Sequence, residues 1–356
     1  MVDDAPELPA TMRAWRTHAY GPPLEALQLD EVPVPEPGPG EVLVAVAAIP
    51  LNLNDLERVT GGPMMVPPEL PVVPGMEVVG RVVRAGEGAE GWLGQRVAAM
   101  PRQACGGFAE WAVCPAVATF ALPESLELPE AAGLYFPFHL AWLGLVDRAR
   151  LQAGETVLVH AGAGGSGSAA IQLAVHLGAR VIAAAGGPAK VARCRELGAH
   201  VAVDYLAEDV AAAALEATGG RGVDVVFDNV GEAVFDASLR AIAYGGRYLM
   251  MGFASNKGVL DEPSIVPRRQ ATANVALHGV LLAYATDDVR AFVKEAMGWN
   301  FVPGERGTAI MAAIVELAEA GVLRPLVGQV AGFDAIPQAL VDLAERRTVG
   351  RTVVLV

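Results

Sequence analysis

Apolar positions along the chain fall into two rhythms. From Thr156 to Val280, short β-branched runs alternate with stretches of helical period. "TVLVHA" at Thr156–Ala161 reads as a buried strand. After a glycine-rich gap, Ser168–Leu177 reads as a helix closed by Gly178 as its C-terminal cap. "LGA" at Leu177–Ala179 ends that helix and launches a strand at Arg180–Ala185; a second "LGA" at Leu197–Ala199 does the same for His200–Asp204. A helix at Asp209–Thr218, a strand at Val223–Asp228, a helix at Ala233–Ala241, a strand at Gly246–Met251 and a sixth strand at Asn274–Val280 complete the series. Such alternation predicts a parallel sheet with helices on both faces.

The flanks keep a different rhythm. Residues 12–125 are rich in proline and glycine, with short apolar runs such as "EVLVAVAA", "EVVGRVVRAG" and "FAEWAVCP". These read as antiparallel strands of a barrel-like, mostly β domain. The closing "GRTVVLV" is one more strand, and rejoining that first domain is the simplest way to give it a partner. The expected plan is α/β overall. A β-rich domain (residues 1–133 and 286–356) is split around an inserted α/β domain (residues 134–285), and a ligand is expected in the cleft between them.

Composition narrows the partners. The 356 residues are 53% hydrophobic and 19% charged, which suits a globular chain with two cores. A formal charge of -14 argues against nucleic acid or an anionic membrane as partner. Cys105, Cys114 and Cys194 form no disulfide framework, and "MVDDAPELPA" lacks the pattern of a secretory signal, so a cytoplasmic location is expected. Val157–Ala179 carries no permanent charge and approaches the roughly 20 residues of a membrane span. "GAGGSGS" in its middle favours strand, turn and helix instead.

That turn is the first candidate for chemistry. In "AGAGGSG", Ala161–Gly167, the glycines let the backbone bend tightly and approach a diphosphate. The following helix N-terminus offers N–H groups and a positive dipole. Ala163, Gly164, Gly165, Ser166 and Gly167 are therefore candidate cofactor residues. An acid at the end of the next strand would bind the ribose of NAD. None occurs between Glu155 and Glu196, whereas Lys190, Arg193 and Arg195 follow. Gly186 and Lys190 are the candidates for a 2′-phosphate, so NADPH is the expected cofactor; the other reading of these cations is the solvated face of a helix.

"EVLVAVAAIPLNLNDL", "PVVPGMEVVGRVVRAGEG", "GGFAEWAVCP", "GETVLVHAGAGGSGSAAIQLA", "ELGAHVAVDY", "GVDVVFDNVG", "GGRYLMMG" and "GRTVVLV" follow one another in an order that resembles the medium-chain dehydrogenase/reductase superfamily, in its zinc-independent quinone oxidoreductase group. The resemblance covers essentially the whole chain. It implies a GroES-like β-rich barrel domain, a Rossmann doubly wound sheet holding NADPH, and a homodimer joined at the sheet edges. It also implies roles for Asn52 near the nicotinamide, Tyr205 at the adenosine end, and Asn229, Gly231, Gly252 and Phe253 at the nicotinamide ribose and amide. Phe136, Phe138 and Phe253 are candidates for the substrate pocket, Phe138 equally for plain core. Metal-dependent relatives carry a "GHE" triplet and a four-cysteine lobe; here the triplet is Gly75-Met76-Glu77 and only Cys105 is available, so no metal is expected. Many relatives have tyrosine where Glu57 stands. His139 is a candidate proton donor or a structural histidine, and Asp55 is expected to anchor a turn.

Without a Lewis acid, the acceptor must disperse the charge that hydride delivers, as a small hydrophobic quinone or enone does. Two alternatives remain. One is reduction of a 2-enoyl thioester. The other is NADPH binding without appreciable turnover.

Overall fold

The computed structural model describes residues 8–62, 64, 66–252 and 267–356. The chain divides into two compact units. One comprises Met1–Tyr135, Ala283–Glu319 and Val327–Val356, the other Phe136–Leu282 and Ala320–Leu326.

The first unit is built around the strand Glu41–Pro50, which is apolar along most of its length and largely buried. Its first half pairs antiparallel with both Val78–Ala85 and Trp111–Pro115. Its second half receives the closing strand: Val353 lies opposite Pro50 and Leu355 opposite Ala48. The expected return of the chain end to the first domain is what the register shows. The core beneath joins Val42, Val44 and Ile49 to Val78, Val97, Phe108 and Val354.

In the second unit six parallel strands run in the order Val201–Asp204, Arg180–Ala185, Thr156–Val159, Val223–Asp228, Ile242–Met250, Ala276–Gly279. Connections from Thr156–Val159 first move outward one way; the chain then returns to its other side. That reversal makes a topological switch point beside the first strand, where ligands of such sheets bind at the carboxyl ends. All four residues of Thr156–Val159 are buried, as expected of a strand covered on both faces.

Most boundaries lie within two residues of the sequence reading, and the larger differences have physical causes. The helix that follows the first strand begins at Gly165, not Ser168. Poor helix propensity hid three residues that tertiary packing holds in the first turn. The fifth strand begins at Ile242 and runs through Gly245 and Gly246 to Met250. The sixth is shorter than read, Ala276–Gly279. No helix among the described residues is long and apolar enough to cross a membrane.

Two buried histidines support this unit. His160 follows the first strand, and its Nε2 lies 2.7 Å from Ser238 Oγ. Ser238 donates its own proton to the Val234 carbonyl at 2.7 Å, so His160 Nε2 is the donor to Ser238. Burial lowers the pKa of His160 to about 4 and that of His139 to about 3. Both are neutral near pH 7, which makes an imidazolium at His139 unavailable as proton donor. Their folded values lie below the free value of 6.5. The unfolded chain therefore takes protons first, and this contribution to stability, complete above pH 6.5, is lost as pH falls toward 4. Melting curves between pH 4 and 7 should show His160→Gln losing less melting temperature on acidification than the unmodified protein. Equal losses would mean that His160 does not carry the acid sensitivity.

Candidate functional site

The glycine turn is shaped by close backbone approach. Ala161 takes a left-handed φ of 48°, strained for a residue with a side chain. Gly162 N–H donates to the Ala184 carbonyl at 2.9 Å, fixing the turn against the neighbouring strand. A Cβ at Gly167 would stand 2.2 Å from the Ala161 carbonyl oxygen, so only glycine lets the helix begin this close to the strand. A Cβ at Gly164 would meet that oxygen at 3.3 Å, which a small local shift accommodates. Gly164 caps the helix Gly165–His176, whose first-turn N–H groups have no partner within the helix. Ala163 is buried beneath the turn.

The structure brings Gly186 and Tyr205 together. A Cβ at Gly186 would lie 2.6 Å from the Tyr205 hydroxyl oxygen. Both leave the carboxyl ends of adjacent parallel strands, and Lys190 lies in the first turn of the helix Pro188–Glu196. At the next strand end, Asp228 is buried and accepts N–H from Val230 at 2.8 Å and Gly231 at 2.9 Å on Oδ1. The Tyr248 hydroxyl donates to its Oδ2 at 2.6 Å. Gly231 needs its φ of 101°, and a Cβ at Gly252 would stand 2.0 Å from the Asn229 carbonyl carbon. The ends of the fourth and fifth strands are thus locked against each other. Asn229 Oδ1 is buried with no hydrogen-bond partner among the described residues. Asp228, which organises this corner, was not singled out from the sequence. Phe136 is half-buried and Phe138 lies in the core at 2% exposure; Phe253 lies outside the described residues.

The first unit holds a separate buried polar cluster. Asn52 donates its amide to the Pro50 carbonyl at 3.2 Å and to Glu77 Oε2 at 3.1 Å. Its Oδ1 accepts from Arg351 Nη1 at 3.2 Å. Arg351 Nη2 reaches Glu77 Oε2 at 2.6 Å, with both side chains almost fully buried. Asp55 accepts N–H from Asn52 at 2.8 Å and from Met76 at 3.0 Å, so it ties the helix Leu53–Thr60 to the turn before Glu77. Burial pushes its carboxyl up to about 6, against the pull of those N–H groups and of Arg58 and Arg351. As folded, both amide protons of Asn52 are engaged, and donation to an acceptor oxygen would require releasing Glu77 or Pro50. Asn52→Ala is expected to cost about 1–3 kcal/mol of stability. Melting curves check this, and unchanged melting would mean that the cluster does not depend on the Asn52 amide.

Two family profiles match the chain: an alcohol dehydrogenase GroES-like domain over residues 38–124 and a zinc-binding dehydrogenase over residues 165–297. Quinone oxidoreductase-like protein 2 of Bos taurus is 30% identical over 80% of this chain and 76% of its own. Polyketide synthase GfsB of Streptomyces halstedii is 35% identical over 79% of this chain. A mycobacterial protein solved in complex with NADPH superposes with a TM-score of 0.83 at 31% identity, covering 97% of this chain and all of that one. The match spans 52% of a Nematostella vectensis homolog of quinone oxidoreductase-like protein 2 and 4% of the synthase. With a GroES-like sheet and a Rossmann sheet bearing its glycine turn, the chain belongs to the quinone oxidoreductase group of the medium-chain dehydrogenase/reductase superfamily.

Proposed function

We propose that this protein is a zinc-independent, NADPH-dependent oxidoreductase acting on a quinone or an α,β-unsaturated carbonyl. The observation that carries the reading is the glycine turn at the switch point, where Gly167 is sterically obligatory and a helix opens toward the strand ends. The relatives named for quinone reduction and the neighbour solved with NADPH support it. N–H groups of Gly165, Ser166 and Gly167 would hold the diphosphate. Gly186, Lys190 and Tyr205 would hold the adenosine end. Asn229 Oδ1, without a partner among the described residues, would hold the nicotinamide end together with the backbone of Gly231 and Gly252. When bound, NADPH supplies the hydride. The protein's own part is to fix that cofactor and to admit an acceptor whose π-system disperses the arriving charge.

The described residues offer zinc no matching donor set. Where the metal-dependent relatives place a zinc-binding imidazole stands the buried Met76, whose thioether is a weak zinc ligand. Glu77 is engaged by Arg351 and Asn52. Among the described residues, no three His, Cys, Asp or Glu side chains group as a metal site. Activity is therefore expected to survive chelation.

Replacing Lys190 with alanine should weaken NADPH by about 1.5–3 kcal/mol, the scale of a charge-assisted hydrogen bond, and leave NADH nearly unchanged. Parallel titrations check this, and equal losses for both cofactors would remove Lys190 from the 2′-phosphate. A second reading, reduction of a 2-enoyl thioester, is favoured by the polyketide synthase match, which runs along most of this chain. Comparing a quinone with an enoyl thioester as acceptors for NADPH oxidation separates the two. The edge strand Ala276–Gly279, paired on one side alone among the described residues, is our candidate for a homodimer contact.

A further inference from the structure

We propose that Asp204 is a specificity-determining residue that restrains the preference for a 2′-phosphorylated cofactor. The inference rests on the NADPH reading above. The strand Arg180–Ala185 ends without an acid, but its parallel neighbour Val201–Asp204 ends with one, in register with Ala185. Asp204 Oδ1 accepts the Gly187 N–H at 2.9 Å and the Leu206 N–H at 3.1 Å. The carboxylate is thereby fixed beside the Gly186-Gly187 turn, next to Tyr205 and at the head of the helix that carries Lys190.

This placement has two effects. Phosphate at a helix N-terminus normally draws on the first free N–H groups. Here Pro188 has none to give, and the Gly187 N–H is already taken by Asp204. The carboxylate also sets a negative charge near the space where a 2′-phosphate would lie, and it opposes the attraction of Lys190. A 2′-hydroxyl carries no net charge and is not repelled by that field. An acid reaching over from the adjacent strand thus narrows the gap between NADPH and NADH that the acid-free strand end would otherwise open.

Asp204→Asn tests this cleanly, because the asparagine oxygen can still accept from Gly187 and Leu206 while the charge is gone. NADPH and NADH are titrated against both proteins at low and high salt, with melting curves alongside. The expected result is NADPH binding tightened about five-fold, NADH changed less than two-fold, and the gain shrinking as salt screens it. An unchanged NADPH-to-NADH ratio in a variant that melts like the parent overturns the proposal. So does a parallel loss of both cofactors. If Asp204→Asn does not fold, Asp204→Ser is measured instead, and failure of both makes Asp204 a structural cap and likewise overturns it. Parent protein that binds neither cofactor would sink the NADPH reading itself, and this inference with it.

Discussion

Arg351→Met is expected to destabilise the first unit by about 3–5 kcal/mol, because it removes the guanidinium from the buried Glu77 carboxyl group. In melting temperature that is on the order of 10 °C for a unit of this size. The Arg351 guanidinium holds Glu77 at 2.6 Å and Asn52 Oδ1 at 3.2 Å, so the loss also frees the Asn52 side-chain oxygen and loosens the turn it anchors. The double variant Glu77→Gln, Arg351→Met removes both charges and should recover more than half of the loss. A single variant within about 1 kcal/mol of the parent by denaturant titration would show that the cluster is hydrated in solution, since exposed pairs contribute no more than that.

The second large effect separates two glycines of one turn. Gly167→Ala brings a Cβ within 2.2 Å of the Ala161 carbonyl oxygen and 2.8 Å of the Gly162 Cα. The helix must then back away from the strand, at about 1–3 kcal/mol for overpacking. NADPH should weaken with it, since the N–H groups move. Gly164→Ala meets only the 3.3 Å contact, at a φ of -85° that any residue adopts. Its melting temperature should stay within about 2 °C of the parent. Its affinity for NADPH should nevertheless fall roughly ten-fold or more if the diphosphate approaches that Cα, as the second glycine of such turns requires. Calorimetry and cofactor titration on the pair provide the check. Parent-like NADPH affinity in Gly164→Ala would mean that the turn is merely a tight connection between strand and helix.

The sequence made the periodic parts legible. Alternating β-branched and helical runs located all six parallel strands, most plainly the central ones, because strands covered on both faces are largely apolar. The glycine turn could be read because its function depends on local backbone freedom. Long-range partnerships left no such trace. Asn52 and Arg351 lie 299 residues apart, and nothing in "LNLNDL" or "GRTVVLV" announces that a guanidinium will occupy both amide and carboxylate. Asp204 was visible in "VDY", but its reach to Gly187, 17 residues earlier, exists only once the two strands pair. Asp228 resembled one more strand end until its carboxylate was found beneath the turn of Val230 and Gly231.

The most direct test of the central claim is NADPH oxidation by the purified protein with a panel of small quinones and enones, in the presence of a strong zinc chelator. The account predicts that at least one acceptor is reduced with one NADPH consumed per acceptor, faster than with NADH and undiminished by the chelator. No acceleration over the protein-free rate with any acceptor, or activity that returns only when zinc is restored, would contradict it.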